Sequence, residues 1–324
     1  MKPRIGFLGV GWIGRSRMEA MLGTGMVEAI AIADPLAEMV VEAVKLAPDA
    51  AIVDGLDAML AMGLDGVVIA TPSALHAEQS IRALEAGAAV FCQKPLGRDA
   101  AEARAVVDAA RAADRLLAVD FSYRYTAGMA AIARLVRSGE LGRVFAVDLT
   151  FHNAYGPDKP WFYDRARSGG GCVMDLGVHL VDLAMWCLDA DGATDVHARL
   201  FAGGAVPSGE TVEDYAVAQM TIGGAAVRLA CSWRVNAGVD AEIGATFYGT
   251  EGGAGFRNVG GSFYDFEATR FRGTARESLA GPPDDWGGRA AADWARRLAA
   301  GARFDRSAEG IVEVARVLDQ IYAG

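Results

Sequence analysis

Hydrophobic and polar positions alternate between two periods over the first third of the chain. Short apolar runs typical of buried strands occur at RIGFLG (4–9), VEAIAIAD (27–34) and DGVVIATP (65–72). Stretches with helical spacing separate them, including WIGRSRMEAMLG (12–23) and SALHAEQSIRALEAG (73–87). The alternation continues through AAVFCQKP (88–95), a helix at 100–112 and the strand LLAVDF (116–121). Strands alternating with helices of this length predict a parallel sheet with helices on both faces.

The pattern changes after residue 121. A helix is predicted over 126–139, followed by a strand at 143–153 and two closing helices at 286–300 and 308–323. Between them, four runs alternate like antiparallel strands: 193–202, 214–223, 225–235 and 241–249. We therefore predict an α/β domain over 1–121 and an α+β domain over 122–324, built on a sheet. The C-terminal helix could pack back on the first domain.

Composition and charge exclude several classes of protein. The chain of 324 residues is 52% hydrophobic and has 31 basic against 41 acidic side chains, a formal charge of −10 without a basic run. A nucleic-acid partner is therefore not expected. Glycines and Arg15 interrupt the apolar start, and no uninterrupted apolar run reaches the ~18 residues that span a membrane. We expect a cytoplasmic protein with no membrane partner.

Cysteine and histidine spacing predicts neither a disulfide framework nor a metal site. The four cysteines lack C-x-x-C spacing, and the four histidines are scattered along the chain. Buried free thiols in a reducing compartment are the simplest interpretation.

Gly9, Gly11 and Gly14 form G-x-G-x-x-G where the first strand becomes a helix. The first glycine permits a tight turn, the second lets the backbone approach a pyrophosphate, and the third lets helix and strand pack closely. The helix N-terminus then supplies N–H donors for the phosphates. The position of this motif between a strand and a helix, more than the motif itself, predicts a dinucleotide site.

Asp34 ends the second strand, 20 residues after Gly14, where a carboxylate binds the adenine ribose hydroxyls. An acid there repels a 2′-phosphate and favours NAD, although Arg15 and Arg17 leave NADP open. The predicted cofactor-binding residues are Gly9, Gly11, Trp12, Ile13, Gly14, Asp34, Thr71, Pro72, His76 and Lys94.

A second candidate site lies in GGGCVMDLGVHLVDL (169–183). Asp175, His179 and Asp182 are spaced i, i+4 and i+7, which places them on one stripe of a helix. Oxidising an alcohol requires a base within reach of its hydroxyl, and an imidazole such as His179 exchanges protons near neutral pH. Asp175 would orient the imidazole or hold a substrate hydroxyl, and Asp182 is expected to be a supporting acid. The three glycines would let a ligand approach the backbone.

The alternative for this stripe is a buried structural histidine next to an acid at a helix N-terminus. The four-residue spacing, the glycines and the preceding dinucleotide motif favour the functional interpretation.

Lys94 lies at the carboxyl end of a predicted sheet strand, the edge where ligands bind in open α/β folds. Pro95 biases it towards an extended conformation. Its ammonium could donate to a substrate oxygen.

The chain resembles the Gfo/Idh/MocA oxidoreductases, named for glucose–fructose oxidoreductase and inositol dehydrogenase. The resemblance rests on the N-terminal glycines and on CQKPLGRD, FSYRY, SGELGRV and GGGCVMDLGVHLVDL. It implies a Rossmann domain joined to a domain with a large open, mostly antiparallel sheet, whose outer face commonly forms the subunit interface. A homodimer or homotetramer is therefore expected. The resemblance implies catalytic roles for Lys94, Asp175 and His179, and Gln93 departs from it where glutamate is usual.

The function expected is that of an NAD(P)-dependent dehydrogenase acting on a sugar, inositol or related polyol. Two alternatives stay open: redox-neutral, NAD-dependent glycoside cleavage, and a dinucleotide-binding regulator without catalysis. The aromatic loop after the strand at 143–153 is expected either to bind sugar or to serve packing or an interface. The predicted substrate-binding residues are Lys94, Tyr123, Arg124, His152, Asn153, Tyr155, Trp161, Asp175 and His179.

Overall fold

The apolar runs of the first third of the chain form a six-stranded, all-parallel sheet in the computed structural model, which describes residues 1–324. The strand order is β3-β2-β1-β4-β5-β6, so it reverses between β1 and β4, where ligands bind in doubly wound folds. The strands are β1 (Arg4–Leu8), β2 (Glu28–Ala33), β3 (Ala51–Ile52), β4 (Gly66–Ile69), β5 (Ala89–Cys92) and β6 (Leu117–Val119). The predicted Rossmann architecture is confirmed.

Five helices connect these strands. They are α1 (Trp12–Gly23), α2 (Ala37–Val44), α3 (Leu56–Leu60), α4 (Ser73–Glu85) and α5 (Ala100–Ala113). The short elements α2, β3 and α3 were not predicted, because each is too short to show a clear period.

The chain divides into two compact units. One contains Met1–Ser122 and Gly288–Val312, and the other contains Tyr123–Gly287 and Glu313–Gly324. Helix α9 (Arg289–Ala299), which sequence alone placed with the second domain, therefore belongs to the first unit. Its fully buried Trp294 packs against Phe91 of β5, with ring centroids 5.9 Å apart.

The second unit is built on an eight-stranded sheet in the order β14-β13-β12-β11-β7-β10-β9-β8. All neighbouring strands are antiparallel except β7 and β10. The predicted large, mostly antiparallel sheet is therefore confirmed. Its strands are β7 (Val144–Asn153), β8 (Ala193–Phe201), β9 (Tyr215–Ile222), β10 (Ala225–Ser232), β11 (Ala241–Gly249), β12 (Gly253–Asn258), β13 (Phe266–Arg272) and β14 (Ala275–Ala280).

Side chains alternate between the two faces of this sheet. Val147, Leu149 and Phe151 of β7 are buried on the inner face, which packs against helices α6 (Ala127–Arg137) and α8 (Val178–Leu188). A short helix, α7 (Arg165–Ser168), precedes α8, and α10 (Glu309–Ala323) closes the chain.

A π-helical turn, Val173–Gly177, leads into α8. Such turns insert one residue per turn and are frequent at functional sites. The whole segment Arg165–Leu188 is long and apolar enough to cross a membrane, although Asp175 and Asp182 interrupt its apolar run in the sequence. Its most apolar window is 83% buried inside the protein, which is typical of a core helix.

Candidate active site

The loop between β1 and α1 has the construction that a dinucleotide requires. Gly9 has a φ of 84°, and a Cβ atom there would lie 2.6 Å from the Ala70 carbonyl oxygen. A Cβ atom at Gly14 would lie well under 3.0 Å from the Gly9 carbonyl oxygen. At Gly11, by contrast, a Cβ atom would meet nothing within 4 Å. Gly9 and Gly14 therefore serve packing. Gly11 leaves open space at the N-terminus of α1, where free N–H groups bind phosphate.

The residues that follow Gly11 lie in the first turn of α1. Trp12 is exposed and Ile13 is half-buried. Their backbone N–H groups belong to the helix start and are free of intrahelical partners.

Asp34 presents a fixed carboxylate at the end of β2. Its Oδ2 accepts the Val10 N–H at 2.7 Å, and its Oδ1 accepts the Leu36 N–H at 2.9 Å. A carboxylate has about four acceptor positions, so it can still accept ribose hydroxyls while repelling a 2′-phosphate. The arrangement fits NAD.

Arg17 does not offset this preference, contrary to the expectation from sequence. Its side chain is buried, and its Nε donates to Asp120 Oδ2 at 2.6 Å. The guanidinium is therefore committed to an internal ion pair.

The loop after β4 is held by His76. The ring is 1% exposed, and its nitrogens lie 2.6 Å from the Pro95 oxygen and 2.7 Å from the Thr71 oxygen. Burial lowers the pKa of His76, against the two carbonyl oxygens, which raise it. Both oxygens are acceptors, so a neutral ring, which has one N–H, donates to only one of them at a time. His76 thus packs between the loops around Thr71 and Pro95, and its contact with the cofactor stays a prediction. Pro72 immediately precedes α4, and the Thr71 hydroxyl donates to Gln79 at 2.6 Å.

Lys94 follows the carboxyl end of β5, as the sequence predicted. Its neighbours on both sides are anchored: Gln93 Nε2 donates to Asp120 Oδ2 at 2.7 Å, and the Pro95 oxygen contacts His76. Buried polar contacts within the first unit thus fix the backbone on both sides of Lys94.

In the second unit, Asp175 and His179 lie on consecutive turns of one helical segment. Asp175, in the π-helical turn, accepts the Trp233 indole N–H at 3.1 Å. His179, in the first turn of α8, packs edge-on against the Tyr123 ring with centroids 4.9 Å apart. Each of the two polar side chains therefore contacts an aromatic side chain. Sequence reasoning missed Trp233, whose only local signal is its position directly after β10.

The buried Asp182 and the half-buried Arg124 form a bidentate ion pair, with Arg124 Nε 2.8 Å from Asp182 Oδ2 and a second contact through Nη2. Burial raises the pKa of Asp182, while Arg124 lowers it. Asp182 is thus the supporting acid that was expected. Asp182 holds the guanidinium of Arg124, and the substrate contact of Arg124 stays a prediction.

Tyr123 packs among several aromatic rings, and its predicted place in the substrate cleft stays a prediction. It is 8% exposed and its ring contacts those of Phe151, Phe266 and Trp286. Burial raises the pKa of its hydroxyl.

His152 and Asn153 lie on opposite faces of the sheet, although they are adjacent in sequence. His152 contacts Ser232 Oγ at 2.7 Å and stacks on Tyr215, on the face opposite to Phe151. Phe151, on the other face, is the residue whose ring lies beside His179, at 6.4 Å, and the substrate contact of His152 stays a prediction. Asn153 shares the Phe151 face, and its buried Oδ1 has no hydrogen-bond partner in the protein.

The glycines at 169–171 serve packing, which corrects their predicted role in ligand approach. Gly169 has a φ of 86° and ends α7. A Cβ atom at Gly170 would collide with the Tyr322 hydroxyl, and one at Gly171 would collide with the Glu213 carbonyl oxygen.

Glu213 is the buried acid beneath these glycines, and no local pattern indicates its role. Its carboxylate accepts N–H groups of Gly171 at 3.0 Å and Val173 at 2.9 Å, and the Tyr322 hydroxyl at 2.8 Å. Burial raises the pKa of Glu213, and these donors lower it. Glu213 thus fixes the start of the segment that carries Asp175.

The aromatic loop between β7 and α7 is hydrogen-bonded to Arg234, the residue after Trp233. Arg234 has a φ of 60°, unusual for a long side chain, and donates to the Tyr163 hydroxyl oxygen at 3.1 Å. Trp161 stacks on Phe162, and Tyr155 is 53% exposed. Tyr155 and Trp161 therefore stay candidates for contact with a sugar ring. No group of His, Cys, Asp and Glu side chains is arranged to hold a metal ion.

Comparisons with known proteins agree with this construction. Residues 3–121 match a family model described as an oxidoreductase family with an NAD-binding Rossmann fold, and residues 129–254 match the GFO/IDH/MocA C-terminal domain. D-glucoside 3-dehydrogenase of Escherichia coli is 32% identical over 144 residues, 44% of this chain and 41% of that protein. Inositol 2-dehydrogenase of Rhodococcus erythropolis is 29% identical over 317 residues, 89% of this chain and 90% of that protein.

A solved levoglucosan dehydrogenase, in complex with NADH and levoglucosan, has the same fold. Its TM-score is 0.83 at 22% identity, covering 100% of this chain and 97% of that one. The two family models together span most of both units, and the chain belongs to the Gfo/Idh/MocA family of oxidoreductases, with an NAD-binding Rossmann domain as its first domain.

Proposed function

We propose that the protein is an NAD-dependent dehydrogenase that oxidises a secondary alcohol of a sugar, inositol or related polyol, or reduces the corresponding ketone. The observation that carries the proposal is the supported pair Asp175 and His179 in a chain whose phosphate loop and Asp34 fit NAD. The alignment along 90% of an inositol 2-dehydrogenase supports the substrate class.

The reaction needs a hydride acceptor, which NAD supplies when bound. His179 takes the proton of the reacting hydroxyl and passes it to solvent, so that the alcohol loses a hydride and a proton in total. Lys94 donates from its ammonium to a substrate oxygen and stabilises the negative charge that develops there. Asp175, fixed by the Trp233 N–H, accepts a neighbouring hydroxyl or orients the imidazole.

Asp34 sets the preference for NAD over NADP. Its carboxylate is held by two backbone N–H groups, and Arg17 is withdrawn into an ion pair with Asp120. A 2′-phosphate would meet a fixed negative charge without that arginine to compensate it.

We further propose a cytoplasmic homodimer or homotetramer. What supports self-association is the outer face of the eight-stranded sheet, where Tyr248 is exposed and Asp148 pairs with Arg228 across neighbouring strands. Sedimentation equilibrium gives the oligomeric state directly, and a monomer at all concentrations would contradict the proposal.

The deciding experiment follows nicotinamide absorbance with purified protein, NAD⁺ or NADP⁺, and a panel of inositols, aldoses and sugar acids. Wild type is expected to reduce NAD⁺ with at least one polyol and to discriminate against NADP⁺. Lys94→Ala and His179→Ala should lose turnover by roughly 100-fold or more, in line with the loss of a general acid–base group, while still binding NAD.

Two matched controls separate chemistry from surface effects. Lys45→Ala changes a solvent-facing lysine on the α2 boundary, and His197→Ala changes an exposed histidine of β8, so both should keep full activity. Full turnover in Lys94→Ala or His179→Ala would remove that residue from the mechanism. NAD binding without net reduction would lead next to assays of glycoside cleavage.

A further inference from the structure

Three polar side chains meet in the interior of the first unit, at the carboxyl ends of two neighbouring strands. Asp120 follows β6 and is 1% exposed, and Gln93 follows β5 and is 8% exposed. One oxygen of Asp120, Oδ2, accepts both Gln93 Nε2 at 2.7 Å and Arg17 Nε at 2.6 Å. The other oxygen, Oδ1, is buried without a hydrogen-bond partner in the protein. The cluster therefore holds one anion, one cation and one neutral donor.

The charge on Asp120 explains why an amide stands at position 93. A glutamate there would place a second carboxylate at hydrogen-bond distance from Asp120, with Arg17 as the single cation in the cluster. Two carboxylates this close in a buried site cannot both stay ionised. Glutamine has the size of glutamate and supplies the N–H that the Asp120 oxygen accepts. The negative charge absent from position 93 is present one hydrogen bond away.

This cluster bears directly on Lys94, the next residue in the chain. The Gln93 backbone N–H donates to Ile69 at 2.9 Å, and its side chain is held by Asp120. On the other side of Lys94, the Pro95 oxygen lies 2.6 Å from Nδ1 of the buried His76 ring. Lys94 thus lies between two residues with buried polar contacts, Gln93 and Pro95.

We propose that Gln93 and Asp120 are positioning residues for Lys94, and that Asp120 supplies the buried negative charge of this strand end in place of an acid at position 93. The inference rests on the proposed function for the catalytic role of Lys94. Gln93 and Asp120 themselves contact neither substrate nor cofactor in this proposal. They act by fixing the backbone from which Lys94 projects.

The first test is a double-mutant cycle between positions 93 and 94 in the full-length protein with NAD. Gln93→Leu keeps the volume and leaves the Arg17–Asp120 ion pair intact, so the variant should fold. We expect kcat to fall about 10- to 100-fold, as for small misplacements of a reacting group, while KM for NAD is unchanged. In a Lys94→Ala background the same substitution should have no further effect, because it acts through Lys94.

Gln320→Leu, at an exposed position of α10, is the matched control and should match wild type. A wild-type kcat in Gln93→Leu, or a loss that multiplies with that of Lys94→Ala, would overturn the proposal and leave the cluster a purely structural feature.

The second test exchanges the charge. Gln93→Glu should lower both the melting temperature and kcat, because it adds a buried anion beside Asp120. Adding Asp120→Asn should restore both, since the new amide donates to the glutamate and the number of charges is again that of wild type. A double variant no better than Gln93→Glu would contradict the assignment of the charge to Asp120.

The third test does not depend on turnover and so separates this inference from the proposed function. The chain has only four lysines, Lys2, Lys45, Lys94 and Lys159, so reductive methylation with ¹³C-formaldehyde gives a simple NMR spectrum. The Lys94 resonance is assigned by its absence in Lys94→Ala.

In Gln93→Leu, the Lys94 resonance should move while the other three lysine resonances stay in place. If no polyol is oxidised by wild type but this resonance moves, the proposed function fails and the positioning role stands. An unmoved resonance overturns the positioning role, whatever the activity.

Discussion

Trp233 and Asp175 illustrate how single residues of the site depend on partners far along the chain. The Trp233 indole donates to Asp175 Oδ2 at 3.1 Å across 58 positions of sequence. The pattern around Asp175 identified it as a candidate from its spacing to His179 alone. Nothing local to Asp175 indicates which donor fixes its carboxylate, because the donor, Trp233, lies directly after β10.

Trp233→Phe tests this support. The substitution keeps an aromatic ring against Tyr163 and removes the N–H donor. A hydrogen bond to a charged group contributes about 1.5–3 kcal/mol to stability, so the melting temperature should fall by several degrees. Because the carboxylate also loses its fixed position, kcat should fall roughly 10- to 100-fold. Steady-state kinetics and thermal unfolding measure the two effects. Trp186→Phe, which alters a tryptophan stacked under Arg124 and Arg137, is the control for losing an indole. A large loss of stability with unchanged kcat in Trp233→Phe would show that the contact serves folding only.

At the scale of elements, the segment 169–188 combines a glycine-rich start, a π-helical turn and a buried helix. The glycines were predicted to admit a ligand, but Gly170 and Gly171 instead admit Tyr322 and Glu213. Glycine signals that something approaches the backbone closely. Whether that is a ligand or another part of the chain depends on what packs there.

Gly171→Ala and Gly177→Ala separate these possibilities within one segment. A Cβ atom at Gly171 would meet the Glu213 backbone at a distance that real Cβ atoms do not show, whereas at Gly177 its nearest neighbour is 3.4 Å away. We expect Gly171→Ala to destabilise the fold by about 3 kcal/mol or more, lowering the melting temperature by roughly 5 °C or more. Gly177→Ala should stay near wild type. Urea and thermal unfolding report both, and equal stability in the two variants would contradict the packing role.

At the scale of the whole molecule, the four cysteines are free thiols and all are buried. Burial raises the pKa of Cys92 to about 12 and also raises the pKa values of Cys172 and Cys187. An unfolded thiol has a pKa near 8.5. Above that pH the unfolded chain releases protons that the folded protein keeps, so stability falls as pH rises.

The slope of the free energy of unfolding against pH between 8.5 and 10.5 measures this effect. Each buried thiol contributes up to about 1.4 kcal/mol per pH unit. Cys92→Ala with Cys187→Ala should therefore flatten the slope, whatever the change in absolute stability. The native protein should also resist alkylation at pH 8 and expose all four thiols only on unfolding. An unchanged slope, or rapid alkylation of the native protein, would contradict the buried state.

Much of the architecture follows from local pattern. The strand–helix alternation of residues 4–121 predicted the parallel sheet, since hydrophobic period reports burial of one face or of both. Of the missed elements, β3 and α3 span two and five residues, too short for a period to be visible. The strands β12, β13 and β14 were also not predicted. His152 was predicted to face the site together with Asn153, but neighbouring residues of a strand point to opposite faces. The strand predicted at 143–153 therefore already implies that the side chains of His152 and Asn153 point to opposite faces.

The sequence by itself determined the two kinds of domain, the phosphate loop with Asp34, and the candidates Lys94, Asp175 and His179, because each depends on spacing within a few turns or one strand end. Only the tertiary structure decided the partners. Arg17 meets Asp120 across 103 positions, Arg124 meets Asp182 across 58, and Gly171 meets Glu213 across 42. A buried charge must be paired wherever the fold brings it, and many side chains of suitable type could serve. Which one does so is set by long-range packing, which local periodicity does not encode.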